Sequence, residues 1–183
     1  VTLMSLCAGL TAIRLGMEGE DKLDKAVIAI LVAAVLDGLD GRIARLLKAT
    51  SRFGAELDSL ADFVSFGVAP GFLLYMFGLN ELASFGWIVT LVFAMACALR
   101  LARFNTALDD TTLPPFAYNY FTGVPVPAGA IVILMPVMIS FEFSSGFWAA
   151  PLLVGLWTVF VALLLVSRIP TFSMKVVRIP QQY

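Results

Sequence analysis

Long apolar runs separated by short polar breaks dominate the chain. The runs fall near 2–16, 25–47, 55–78, 85–104, 123–141 and 147–166, with breaks at 18–24, 48–52, 78–84, 106–122 and 142–146. The length suits one domain, residues 1–183, of six membrane spans at ~20 residues each plus short connections. The pattern therefore predicts an all-α integral membrane protein with six transmembrane helices. Pro125, Pro127 and Pro136 lie in the fifth run, where a helix keeps them only if neighbours satisfy the freed backbone groups. Residues 167–183 read as an interfacial basic tail, and Phe143, Phe147 and Trp148 as part of an aromatic belt.

Composition agrees. The 183 residues are 60% hydrophobic and 14% charged, against about 45–50% and ~25% in a soluble domain. A single aqueous core does not hide that much apolar surface. There is no histidine, which excludes imidazole acid–base chemistry and histidine metal sites. Cys7 and Cys97 lie far apart in apolar runs and are expected as small buried hydrophobes. Val1 already sits inside an apolar run, so the natural N-terminus is expected to lie upstream.

Charge placement orients the spans. With alternating ends, one side carries Arg42, Arg45, Lys48, Arg52, Arg100, Arg103, Arg168, Lys175 and Arg178, the other Arg14, Lys22 and Lys25. That bias makes the 48–52 break cytoplasmic.

The informative stretch closes the second run and opens the third. It reads Asp37-Gly-Leu-Asp40-Gly41-Arg42-Ile-Ala44-Arg45, then eight residues, then Gly54-Ala-Glu-Leu-Asp58-Ser-Leu-Ala-Asp62. On a helix, Asp37, Asp40, Gly41 and Ala44 share an arc of roughly 100°, and Ser51, Gly54, Asp58, Asp62 and Ser65 one of about 80°. The intervening hairpin is short, so the two faces meet and four carboxylates converge. Asp37 and Asp62 would lie ~15 Å below the charged rim. A carboxylate at a span centre costs about 2.5–3.5 kcal/mol, so four unpaired would cost on the order of 10 kcal/mol before their repulsion is added. Protonation is one escape. Binding hard cations is the other, and an oxygen-only cluster suits Mg²⁺ or Mn²⁺. Two such ions can clamp a phosphoryl group. Gly41, Ala44 and Gly54 clear the shared face for a diphosphate and nucleotide, and Arg45 suits phosphate oxygens. Glycines that pack helices and arginines that anchor topology remain the plainer readings of those positions.

At these residues the chain resembles the CDP-alcohol phosphotransferase family, whose signature is D-x-x-D-G-x-x-A-R-x8-G-x-x-x-D-x-x-x-D. Every element is present, and the resemblance extends over the six-span layout. It implies transfer of a phosphatidyl or similar group from a CDP-linked donor to an alcohol, with release of CMP. It further implies that Asp37, Asp40, Asp58 and Asp62 hold metal, and that Asp62 is also the general base. The implied CDP-binding set is Asp37, Gly41, Ala44, Arg45, Ser51, Gly54 and Asp58. The stretches 58–70, 100–105 and 121–128 resemble the membrane-embedded phosphatidylserine synthase branch. That branch implies CDP-diacylglycerol and L-serine as substrates, a bacterial or archaeal inner membrane, and a homodimer, with no nucleic-acid partner. Glycerol phosphate or an inositol derivative is the alternative acceptor. The family often carries a Pro-Asn element just before the first span, and this sequence begins after it.

Arg100, Arg103 and Asn105 are candidates for the acceptor or the lipid phosphate, with positive-inside anchoring as the competing role for the arginines. Ser51 and Ser65 are plausible polar neighbours of the acids, although Ser59 and Ser65 could equally bond their own helix. Pro114-Pro115 would shape a lid or a plain connector. A cation transporter is the rival from another class, but the acids cluster on one hairpin, with no matching polar residues in the far half of the spans. A purely structural subunit would carry the acids as a liability.

Overall fold

The computed structural model describes residues 1–46, 51–109, 120–122, 124–143, 146–167 and 170–172. Among these, the helices are α1 (Thr2–Met17), α2 (Leu23–Leu46), α3 (Arg52–Asp62), α4 (Ala69–Phe77), α5 (Ser84–Asp109), α6 (Val126–Ile133), α7 (Met135–Glu142) and α8 (Pro151–Val166). α3 and α4 are joined without a break by a π-helical segment, Phe63–Val68. α6 and α7 meet at a bend at Leu134. The described chain thus makes six helical rods, plus a short ribbon of β1 (Tyr120–Thr122) and β2 (Pro170–Phe172). The hairpin 47–50, the Pro114-Pro115 loop and most of the basic tail lie outside the described residues.

Proline explains the irregularities. A π-turn closes with Ala69 N–H on the Val64 carbonyl, five residues back. Pro70 follows, and its missing N–H leaves the carbonyl of Phe66 without its α-helical donor. The Cys97 thiol on α5 turns to that oxygen at 3.9 Å. Along the fifth run, 123–141, the helix begins at Val126 and is interrupted at Leu134. Pro125 is the N-cap of α6, Pro127 lies in its first turn and Pro136 in the first turn of α7, positions where a missing N–H is tolerated. Pro136 deprives the Val132 carbonyl of its helical donor, and the Trp157 indole N–H on α8 donates to it at 2.9 Å. Likewise the last rod starts at Pro151, not 147, and Phe147–Ala149 is a 3₁₀ turn before it.

The ribbon is a second departure from an all-helical expectation. β1 and β2 pair antiparallel, with Tyr120 opposite Phe172, Phe121 opposite Thr171 and Thr122 opposite Pro170. Three-residue strands are too short to register as periodicity.

α1 packs along α2, the π-helical segment and α4, while α5 packs along α8. Close approach is set by small residues: a Cβ at Gly9 would sit 2.8 Å from the Ser65 backbone, and one at Gly67 would sit 3.0 Å from Cys97. Phe66, Leu73, Phe93 and Ile133 fill the interior, yet Leu10, Ile28, Met95, Leu156 and Leu163 cover the exterior. Apolar inside and out is the mark of helices solvated by lipid. Arg52–Phe77 and Ser84–Thr106 are long and apolar enough to cross a bilayer, and Thr2–Met17, Val126–Glu142 and Pro151–Val166 are shorter apolar helices. These helices are consistent with a multi-pass membrane protein. Cys7, expected inside, lies on the exposed outer face, because its helix packs through Ser5, Gly9 and Ala12 instead; Cys97 is buried. After α1, Glu18 accepts from Arg14 at 3.1 Å and from Lys22, whose hydrogen bond holds its carboxyl below the ordinary range. Trp148 stacks edge-on to Phe147 and Phe143, with centroids 5.1 and 6.2 Å away.

Candidate active site

Two helices deliver the acids. Asp37 and Asp40 lie in the last turns of α2, and Asp58 and Asp62 one turn apart on α3. Carboxylate oxygens of Asp37, Asp58 and Asp62 lie within 4.8 Å of one another, all three side chains half-buried. Asp40 stands outside that group and accepts a hydrogen bond from the Thr2 hydroxyl at the start of α1. The sequence expects four converging carboxylates; the structure brings three together and turns the fourth to α1.

The donor set fits a divalent cation. It offers oxygen only, from three ionisable groups whose mutual repulsion a cation relieves. On α2, a Cβ at Gly38 or Gly41 would meet nothing within 4 Å among the described residues. Ala44 and Arg45 belong to α2, but their side chains lie outside what the structure describes.

The start of α3 is built for close approach. Ser51 is its N-cap, in an extended conformation, and its Oγ accepts the Gly54 N–H at 3.0 Å. A Cβ on Gly54 would sit 3.1 Å from that hydroxyl, so glycine leaves the cap its room.

α5 supplies the cationic side. Arg100 is only 8% exposed; its Nε donates to the Val124 carbonyl at 2.7 Å, just ahead of α6. It is within electrostatic reach of Asp62. Arg103 donates through Nη1 to the Val166 carbonyl at 2.9 Å, a cation on the last carbonyls of α8. Asn105 and Ser59 exchange hydrogen bonds at 3.1 and 3.2 Å, which ties α5 to the turn of α3 between Asp58 and Asp62. The Ala55 carbonyl of its own helix lies 3.1 Å from Ser59 Oγ and competes with Asn105 Oδ1 for the single hydroxyl proton. Ser65 does not line the site: it is fully buried against α1 and donates to the Ser5 carbonyl at 3.3 Å. The π-turn after Asp62 breaks the α-helical phase on which its sequence placement depends.

Two residues of this neighbourhood carry no sequence motif, Thr2 and Ser5. Ser5 is buried and its hydroxyl donates to the Ala33 carbonyl on α2 at 3.0 Å. The signal available in the sequence was two hydroxyls three residues apart in an otherwise apolar run, one face of a helix.

A family model described as CDP-alcohol phosphatidyltransferase matches residues 1–173. The CDP-diacylglycerol–serine O-phosphatidyltransferase of Mycobacterium tuberculosis strain H37Rv is 45% identical over 183 residues, which is 100% of this chain and 63% of that protein. The protein of the same name in Mycobacterium leprae is 44% identical over 183 residues, covering 100% of this chain and 60% of its own length. A third of that name, from Bacillus subtilis strain 168, is 36% identical over 144 residues, 79% of this chain and 72% of that protein. The chain therefore spans less than two thirds of the length of the mycobacterial relatives it matches.

Proposed function

The chain belongs to the CDP-alcohol phosphatidyltransferase family, and from that premise we propose that it transfers the phosphatidyl group of CDP-diacylglycerol to L-serine, giving phosphatidylserine and CMP. The observation that carries the reading is the convergence of Asp37, Asp58 and Asp62, with Arg100 within electrostatic reach of Asp62. Identity of 45% over all 183 residues of this chain, 63% of a relative named for this reaction, supports the choice of acceptor.

In this reading Asp37, Asp40, Asp58 and Asp62 would hold two Mg²⁺ or Mn²⁺ ions. When bound, such ions neutralise the diphosphate and stabilise the leaving phosphate. Asp62 accepts the proton of the serine hydroxyl. The serine oxygen forms a bond to the β-phosphorus, the bond from that phosphorus to the bridging oxygen breaks, and CMP departs with the electron pair. Arg100, with Nε held by Val124, presents the rest of its guanidinium to the serine carboxylate, a planar match. Arg103 and Asn105 act beside it by fixing α8 and α3. Gly41, Ala44, Arg45, Ser51 and Gly54 cradle CDP.

Residues 1–183 act as one transmembrane catalytic domain. The bias of Lys and Arg toward the acidic end of the rods puts the site on the cytoplasmic side. Serine arrives from there, the acyl chains enter sideways from the bilayer, and the working form is a homodimer.

CMP release tests this directly: CDP-diacylglycerol is offered L-serine, glycerol 3-phosphate or inositol, with Mg²⁺, Mn²⁺ or chelator. Serine-dependent, metal-dependent CMP is expected. CMP with glycerol 3-phosphate or inositol alone would reassign the acceptor, and none with any alcohol would reject the enzyme.

A further inference from the structure

α1 contributes no acid, yet it is wedged between the two helices that do. The Ser65 hydroxyl donates to the Ser5 carbonyl at 3.3 Å, and the Ser5 hydroxyl donates to the Ala33 carbonyl at 3.0 Å. Ser5, Ser65 and Ala33 are 2%, 0% and 0% exposed. Ser65 lies three residues beyond Asp62, and Ala33 lies four before Asp37. In an α-helix the carbonyl of Ala33 is also the acceptor for the Asp37 N–H. The Ser5 hydroxyl thus grips the same oxygen that holds the Asp37 backbone.

We propose that Ser5 is a positioning residue: with Ser65 it forms a buried strut across α1 that sets the separation of Asp37 from Asp58 and Asp62. Gly9 seats the strut, since a Cβ there would lie 2.8 Å from Ser65 Cα, a backbone atom that cannot swing aside. Water does not reach these bonds, so no solvent competes for them. The carboxylates lie on separate rods, and a slide between the rods would open the 4.8 Å cluster. Outer-shell contacts that orient metal ligands are worth on the order of 10–100-fold in metal affinity.

The strut rests on the reading of the acids as metal ligands, and the test separates the two. Mn²⁺ binding to the detergent-purified full chain is titrated by electron paramagnetic resonance, without substrate, for the wild type, Ser5→Ala and Ser65→Ala. Ser140→Ala is the control for loss of a serine hydroxyl that bridges no rods, because Ser140 donates only within α7, to the Val137 carbonyl at 2.7 Å. Melting temperature is recorded for each. Ser5→Ala and Ser65→Ala are expected to weaken Mn²⁺ about tenfold and to lower kcat with little change in serine KM, while melting as Ser140→Ala does. Should Ser5→Ala fail to fold, Ser65→Ala alone decides. Mn²⁺ affinity within twofold of wild type in the folded serine variants overturns the strut and leaves the metal reading intact. An equal loss in Ser140→Ala also overturns it, and a wild type that binds no Mn²⁺ overturns both.

Discussion

Asp58→Asn separates the electrostatics of the cluster from its chemistry. Asp58 shares the group with Asp37 and Asp62, its oxygens within 4.8 Å of theirs. Two ionised carboxylates at that distance repel by about 3.5 kcal/mol at an effective dielectric of ~20. Asp58 takes part in two such pairs. A proton shared among the carboxyls relieves part of this, so the net strain removed by the nearly isosteric amide is about 1–2 kcal/mol. For a chain of this size that corresponds to a rise of about 2–8 °C in melting temperature. In chelator, therefore, Asp58→Asn melts above the wild type. Saturating Mn²⁺ reverses the order, because binding at a hundredfold excess over Kd adds about 2.7 kcal/mol to the wild type and less to a variant short of one ligand. The assay is thermal unfolding in detergent at matched pH, with chelator and with Mn²⁺. A variant that melts at or below the wild type in chelator would refute the argument that uncompensated repulsion is stored in the cluster.

Four further outcomes follow from the same geometry. Asp62→Asn keeps size and folding but removes the base, and CMP release with serine should fall by about 10²–10⁴-fold; turnover near wild type would reject Asp62 in that role. Arg100→Lys keeps charge but loses the fork, so serine KM should rise while that for CDP-diacylglycerol holds. Arg103→Met should act through the Val166 carbonyl, lowering stability by about 1–3 kcal/mol with serine KM unchanged in steady-state kinetics. Ser59→Ala and Asn105→Ala should each cost about 1 kcal/mol, and the double variant should cost less than their sum in denaturant unfolding, since they share one pair of bonds.

The meeting of Asp37 with Asp58 and Asp62 was legible in the sequence, because a short hairpin brings the two acid-bearing faces together, although α1 packing against both helices was not. Run positions for the first four rods were legible for the same reason, that apolar length is a direct readout of span. The break at Leu134 was not. Hydropathy does not distinguish Pro136 in a helix interior from Pro136 in the first turn of a new helix; that depends on whether a partner such as Trp157 reaches the freed carbonyl. Asp40 could not be assigned to Thr2, nor Ser65 to Ser5, since both partners sit on α1, more than 35 residues away in sequence. Arg100 and Arg103 looked like substrate ligands or topology anchors. Their bonds to Val124 and Val166 show a third use, holding the ends of other helices, which no local pattern encodes.

The π-helical segment carries a consequence for how firmly the site is aimed. Extra turns of this kind can migrate along a helix when each carbonyl simply trades one donor for the next. Here Pro70 has no donor to trade, so the dislocation between Asp62 and the membrane half of its rod is pinned by a pyrrolidine ring eight residues downstream. The rod behaves as two shafts geared at a fixed offset. Losing a single residue between Phe63 and Val68 would turn one shaft against the other by about 100° and swing Asp58 and Asp62 away from Asp37, with every carboxylate still in place.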